Sequence, residues 1–254
     1  MTSPILSIQH LTVNYRETRA ILDISLDIER GDSVAIIGPN GAGKSTLIKA
    51  VMDLIPIQGG KIIYADAPRP IGYVPQQENI NWNFPVTVRD VVMMGSPHRS
   101  RFGSNTDAWK AVDEALERVE LLPFRDRQVG ELSGGQRRRV FIARTLVQET
   151  DLLILDEPFS GVDVSAQAGL MEVLDRLNAE GLTILLSTHD LDLAFNRFKK
   201  VLALRHEVIG WGTPNEVYTS ENLARLYDRQ VVTLRDGAQA QVYVDEHGCV
   251  GHGE

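Results

Sequence analysis

The run Gly38-Pro39-Asn40-Gly41-Ala42-Gly43-Lys44-Ser45 has the residue types and spacing of a loop that wraps phosphate groups. Its glycines let successive backbone N–H groups turn toward one anion with no Cβ in the way. Lys44 brings a cation to the β- and γ-phosphates, and Ser45 offers a hydroxyl to Mg²⁺, with Thr46 next in the same turn. A second chemical element is Asp156-Glu157, which follows four apolar residues, Leu152 to Leu155. A buried strand there carries Asp156 to its exposed end, where the carboxylate can hold Mg²⁺ directly or through water. Glu157 is then displaced toward an attacking water, and a positioned general base contributes ~10²–10⁴-fold. Together these two elements predict hydrolysis of a nucleoside triphosphate, ATP or GTP. A third, Ser133-Gly134-Gly135-Gln136, opens a helix, and a glycine-rich helix start is suited to an anion. It has no lysine and no metal ligand beside it, so it cannot be a nucleotide site by itself.

The elements that must hold these groups are readable from periodicity. ILSIQ, LTVNY and AILDISLDI alternate apolar and polar residues, as half-buried antiparallel strands do. SVAIIG is a continuous apolar run feeding the glycine-rich loop, and KSTLIKAVMDLI has helical spacing at Leu47, Ile48, Val51 and Leu54. IGYV, residues 71–74, is another strand. Thr87 and Asp90 form the signature of a capping box opening the helix VRDVVMMG. Residues 106–122 place Ala108, Trp109, Val112, Leu116 and Val119 on one helical face. Further on come the strand LLIL, a helix ending at Gly181, the strand LTILLSTH, the helix DLDLAFNRF, and a capped helix start at Thr213, Pro214 and Glu216. The predicted fold is α/β: a P-loop NTPase core with a mostly parallel sheet, an N-terminal antiparallel β subdomain and an inserted helical subdomain over about 78–150. Residues 1–235 are expected to form one nucleotide-binding domain, with 236–254 as a tail.

Bulk properties narrow the class. The 254 residues are 43% hydrophobic and 24% charged, and no apolar run reaches the ~18 residues of a membrane span. Cys249 is the single cysteine, which leaves no internal disulfide. The opening MTSPILSIQH has neither the basic nor the apolar region of a secretory signal, so the cytoplasm is expected. The net charge of −8 argues against gripping a nucleic-acid backbone over a broad face. Arg137, Arg138 and Arg139 are a local basic run: a solvated helix face with ion pairs, or a contact with nucleotide or partner. His247, Cys249 and His252 sit loosely spaced in a glycine-rich tail, short of the four ligands of a structural zinc site, and are read as solvated.

ELSGGQRRRV followed by LLILDEP, with a lone His189 after LTILLST, resembles the ATP-binding cassette (ABC) family. The resemblance covers residues 5–230 with the family's motifs in order. IGYVPQQ places Gln76 as the family's Q-loop glutamine, with Gln77 an adjacent rival. SGVD matches the D-loop, with Asp163. Tyr15 lies where the family stacks an aromatic ring on adenine, although a tyrosine ending a strand can also simply pack. The resemblance implies ATP and Mg²⁺ as cofactors and two cassettes facing head to tail. Ser133, Gly134, Gly135 and Gln136 of one chain would then cap the γ-phosphate held by the other. Lys44 and the loop amides would hold phosphates, Ser45, Asp156 and Gln76 would serve Mg²⁺, Glu157 would polarise the water, and His189 would bond the γ-phosphate.

The stretches NINWNFPVTVRDVVMMG and GTPNEVYTSENLARLY resemble importers of Mn²⁺, Zn²⁺ or Fe²⁺. That implies a motor subunit on the cytoplasmic face of the membrane, a homodimer when ATP-bound. Its partners would be integral membrane permease subunits and, indirectly, an extracytoplasmic metal-binding protein, with no nucleic acid. Trp82, Phe84, Val86, Val91, Val92, Met93 and Met94 could line a docking cleft for the permease, or be ordinary core. The alternatives are a soluble ABC ATPase, such as one serving iron–sulfur cluster assembly, and an importer of another small solute. A chromosome-maintenance ATPase is disfavoured, because the span from Lys44 to Ser133 is too short for a long coiled coil. The ion itself is not encoded in a motor subunit.

Overall fold

The computed structural model describes residues 4–15, 18–65, 71–76, 85–97 and 106–227, and the backbone of 232–236 and 239–243. The chain opens with two antiparallel strands, β1 (Leu6–Tyr15) and β2 (Thr18–Ile28). The runs ILSIQ and LTVNY, which read as two strands, are one. His10 adopts φ 52°, and the register shifts between Ile8 and Leu11, so a bulge joins the two alternating halves. Strand β3 (Ser33–Ile37) is buried along its whole length. The glycine-rich loop leads from it into helix α1 (Lys44–Val51). The helix is shorter than its apolar spacing implies: Asp53 turns to φ 54° and Leu54 is left 60% exposed. Strand β4 (Gly59–Tyr64) returns to pair with β1, giving a small sheet of order β2-β1-β4.

After β5 (Gly72–Val74) the helical insertion begins with α2 (Val88–Met93). Its capping box forms as expected, the Asp90 N–H donating to Thr87 Oγ1 and the Thr87 N–H to Asp90 Oδ2. Val91, Val92 and Met93 face the core, as the ordinary-core alternative has it; of the described residues of this group, Met94 is largely exposed and Val86 is half-buried. Trp82 and Phe84 lie outside the described residues. Helix α3 (Thr106–Arg118) stops before the expected residue 122, because Glu120 turns to φ 61° and a 3₁₀ turn containing Pro123 follows. Trp109 departs from the predicted core face: it is 36% exposed, with the Arg89 guanidinium 5.3 Å from its ring. Helix α4 (Gly134–Leu146) completes the insertion.

The remaining chain alternates. It runs through β6 (Leu152–Asp156), α5 (Val164–Ala179), β7 (Thr183–Thr188), α6 (Leu191–Arg197), β8 (Lys200–Arg205) and β9 (Glu207–Gly212). Helices α7 (Pro214–Val217) and α8 (Ser220–Tyr227) and a hairpin of β10 (Val232–Asp236) and β11 (Gln239–Tyr243) follow. The main sheet has order β5-β6-β7-β3-β8-β9, parallel except for the last pair. Both of its faces are covered. Ala35 and Ile37 of β3 join the apolar cluster under the helical insertion, and Val34 and Ile36 join the cluster under the antiparallel sheet and α1. A strand buried on two sides must be apolar throughout, which is why SVAII and LLIL do not alternate.

One buried amide fixes the start of β3 relative to its neighbours. Asn178, near the end of α5, has its Nδ2 within 3.1 Å, 3.2 Å and 2.9 Å of the carbonyl oxygens of Gly31, Asp32 and Leu182. Its replacement by alanine removes a donor shared by three carbonyls at a site that is 9% exposed; the Gly31 and Asp32 carbonyls keep Lys199 Nζ and the Ile184 N–H, each at 2.9 Å, and the Leu182 carbonyl loses this donor. Asn178→Ala is therefore expected to cost about 1–3 kcal/mol, seen as a lower denaturant midpoint at unchanged slope; an unmoved midpoint would show that these carbonyls are satisfied in other ways.

Candidate functional site

Strand register brings the chemical groups to one edge. Ile37, the last residue of β3, pairs with Thr188, and Asp156, the last of β6, pairs with Ser187. The phosphate loop, the two acids, His189 and Gln76 therefore all emerge at the C-terminal ends of parallel strands, where α/β sheets place ligands. A cleft of about 390 Å³ opens there, within the range of small-molecule sites. It is lined by Tyr15, the run from Asn40 to Thr46, Gln76 and Glu157, and also by Thr18, Arg19, Ala20 and His206. Tyr15 is 47% exposed, so it is not a packed core tyrosine.

The loop is held from two sides. A Cβ on Gly43 would sit 2.6 Å from Ile21 Cγ2 and 2.8 Å from the Ala20 carbonyl, so β2 presses directly on the loop backbone. From the other side, the His206 N–H donates to the Ala42 carbonyl at 2.8 Å, and the Leu22 N–H to the His206 carbonyl at 2.7 Å. His206 Nδ1 also lies 3.0 Å from the Ala20 oxygen. His206 belongs to no motif, and nothing in its local sequence pointed to this cleft.

Lys44 is only 6% exposed. Its ammonium donates to the Gly38 and Pro39 carbonyls at 2.7 Å and 3.3 Å and lies 3.7 Å from Glu157 Oε1. Burial pulls its pKa below the usual lysine value, opposed by the negative charges of Glu157 and Asp156. Glu157 has φ 45°, the left-handed region that side-chain-bearing residues enter rarely. Its carboxylate accepts from Gln76 Nε2 at 2.8 Å. Gln76 is held in turn: Arg138 donates to the Pro75 and Gln76 carbonyls at 3.1 Å and 2.8 Å. The basic run is thus not a solvated face. Arg137 donates to the Gly130 carbonyl at 2.7 Å, and the ion-pair expectation holds for Arg139, 2.8 Å from Glu120.

Asp156 is 4% exposed, with Oδ1 accepting from Ser187 Oγ at 2.6 Å. Its second oxygen, the Ser45 hydroxyl and the Gln76 amide oxygen are hard oxygen donors of the kind Mg²⁺ takes, and the buried carboxylate beside a cationic lysine suits an ion–phosphate pair. His189 follows β7 directly, is exposed, and is not part of the cleft lining. Gln77, His247, Cys249 and His252 lie outside the described residues.

The Ser133–Gln136 turn is also outside the cleft lining. Ser133 caps α4, its Oγ accepting from the Gln136 N–H at 3.3 Å while the Ser133 N–H donates to Gln136 Oε1 at 3.0 Å. Gly135 is buried, and a Cβ there would lie 2.8 Å from that of Ala166, so α4 and α5 need a glycine at their contact. Gly134 is different: it is exposed, and a Cβ would meet nothing among the described residues within 4 Å. Asp163 caps α5, accepting from the Ala166 N–H at 2.9 Å.

Comparison with known proteins shows the family. The sequence pattern of the ABC transporter family matches residues 21–160. Over 91% of its length the chain is 41% identical to the manganese transport system ATP-binding protein MntB of Halalkalibacterium halodurans, covering 95% of that protein. It is also 41% identical, over 91% of its length, to the zinc transport system ATP-binding protein TroB of Treponema pallidum, covering 89% of it. Among solved structures, the chain is similar to a chain of a transporter described as of the metal-chelate ABC type, in an inward-facing conformation. The TM-score is 0.85, with 28% identity and coverage of 95% and 97% of the two chains. It is likewise similar to the cassette MJ0796 in a dimeric post-hydrolysis state with ADP and Pi, at TM-score 0.69 and 26% identity, covering 82% and 98%. With the phosphate loop, the paired acids and the LSGGQ helix start set on this sheet, the chain belongs to the ABC transporter family and is an ATP-hydrolysing cassette of it.

Proposed function

We propose that the chain is the motor subunit of an importer for divalent transition metal ions, working as a head-to-tail dimer with two shared ATP sites. Relatives named for manganese and for zinc are equally similar to it, which supports the metal class and leaves the ion to other subunits. Among the described residues no helix is long and apolar enough to cross a membrane, in keeping with a subunit that attaches to integral permeases and, through them, serves an extracytoplasmic metal-binding protein. Exposed Met94 and half-buried Val86 remain available to a docking cleft.

The observation that carries the shared site is Gly134. Glycine inside a helix costs up to ~1 kcal/mol relative to alanine, and at this first position of α4 no close contact among the described residues requires it. We read it as leaving room for close approach of another molecule to the first turn of α4. The groups at that turn suit an anion. The Gly134 and Gly135 amides belong to the first turn of α4, where N–H groups have no helical partner, and the capping Ser133 hydroxyl accepts with its oxygen while keeping its hydrogen to donate. The nucleotide cleft has the complementary deficiency: the chain's own α4 start does not close it.

In the cycle we propose, ATP binds with adenine against Tyr15 and its phosphates over the amides from Gly38 to Thr46. Lys44 exchanges the Gly38 and Pro39 carbonyls for phosphate oxygens, which removes its contact with Glu157. Glu157, still held by Gln76, becomes the base that orients the attacking water, and His189 bonds the γ-phosphate. Ser45, Asp156 and Gln76 would hold Mg²⁺, which would supply charge neutralisation on the phosphates. The partner's Ser133–Gln136 turn closes the site, and the Asp163 loop lies at the same junction. Arg138 ties Gln76 to α4, so occupancy of the cleft and the position of the helical insertion move together.

Three outcomes test this. Glu157→Gln should bind ATP and accumulate as a stable dimer by size-exclusion light scattering, with phosphate release reduced ~10²–10⁴-fold; near-normal steady-state release would contradict the assignment. Gly134→Ala should melt at the wild-type temperature or slightly above and bind ATP normally. Its ATP-driven dimer should weaken and turnover should fall ~10²-fold; full turnover would remove the case for a shared site. In cells, loss of the chain should lower total manganese, zinc or iron by elemental analysis, restored by the wild type and not by Glu157→Gln. Unchanged content of all three would turn the proposal toward a soluble ATPase or another solute.

A further inference from the structure

Ser187 carries no assigned role, yet it touches both acids of the site at once. It lies on β7 after the apolar run Ile184, Leu185 and Leu186, and it is 0% exposed. A fully buried hydroxyl in such a run persists where it is bonded. Its Oγ donates to Asp156 Oδ1 at 2.6 Å, the length of a charge-assisted bond, and accepts from the Glu157 N–H at 2.9 Å. The Ser187 carbonyl accepts from the same Glu157 N–H at 3.2 Å. The peptide that holds Glu157 in its left-handed conformation is therefore fixed to β7 by two contacts from one residue.

We infer that Ser187 is a positioning residue for ATP hydrolysis: its hydroxyl sets the orientation of the Asp156 carboxylate and the backbone of Glu157 relative to each other. The inference rests on the roles proposed above for Asp156 and Glu157. With Oδ1 committed to Ser187, Oδ2 is the oxygen left for the metal, so the carboxylate presents one defined donor and does not rotate. The same hydroxyl holds the Glu157 amide, so the base and the metal-binding oxygen keep a fixed separation. Removal of the hydroxyl leaves a carboxylate oxygen unpaired and one of the two contacts on a strained peptide missing, in a place closed to solvent.

The test uses the full chain and the isosteric pair Ser187→Thr and Ser187→Val, which add the same bulk and differ only in the hydroxyl, together with Ser187→Ala. Asp156→Asn and Glu157→Gln serve as controls. Three quantities are measured: kcat and KM for MgATP, ATP affinity in EDTA, and Mn²⁺ affinity of the ATP complex by electron paramagnetic resonance in the Glu157→Gln background. Ser187→Ala and Ser187→Val should lose ~10–100-fold in kcat and in Mn²⁺ affinity, with ATP affinity in EDTA unchanged and Ser187→Thr retaining most of both. Ser187→Val equal to Ser187→Thr in kcat and Mn²⁺ affinity overturns the inference when the controls are impaired. Controls that behave as wild type instead overturn the roles of Asp156 and Glu157 on which it rests. A melting temperature measured for each variant separates a folding defect, which would lower ATP affinity in EDTA as well.

Discussion

Parallel pairing of β3 with β7, and of β7 with β6, is the constraint on which the rest of the structure depends. It brings the end of the strand that feeds the phosphate loop beside the strands that end in the two acids and in His189. The phosphate loop, the acid pair and His189 are far apart in sequence. Their meeting is decided by a continuous apolar band, Val34 to Ile37, Leu152 to Leu155 and Ile184 to Leu186, buried on both faces by separate clusters. Hydrophobic burial supplies the stability, and register supplies the geometry. A slip of one residue would exchange the two faces and carry Asp156 away from Ser187.

The electrostatics of the cleft follow from that convergence. A lysine as buried as Lys44 loses hydration, and its charge is retained by the carbonyls of Gly38 and Pro39 and by Glu157 and Asp156. In the proposed cycle a triphosphate would substitute for those partners with more negative charge, so that binding and the release of Glu157 toward water would be the same event. The chain's own LSGGQ turn stands apart from this cleft, carrying donors without a lysine or metal ligand. The two halves are complementary in chemistry but do not meet within one chain, and under the proposed function that division would make hydrolysis depend on association.

The parts legible in the sequence were those in which chemistry or periodicity is local. The phosphate loop, the acid pair after an apolar strand, the capping boxes at Thr87 and Thr213 and the bulk of the helical insertion need only neighbouring residues to be recognised. What escaped depends on distant partners. β4 and β9 lack clean alternation: GGKIIY opens with two glycines and places two isoleucines together, and β9 is the antiparallel edge of the sheet. The bulge at His10 made one strand look like two, and Trp109 and Leu54 fit a helical face that the tertiary structure does not bury. Arg138, His206 and Ser187 are the clearest omissions from the site. Each acts through carbonyls, amides or a carboxylate brought in by another element, and its own neighbours in sequence give no sign of that.

The central claim is that one chain holds two incomplete halves of a catalytic site. The most direct measurement is ATP turnover per chain for the isolated protein over a wide range of protein concentration at saturating MgATP. Turnover per chain is expected to rise with concentration and to reach a plateau as the chains pair. Turnover per chain that is constant down to concentrations where light scattering finds only monomer would contradict it.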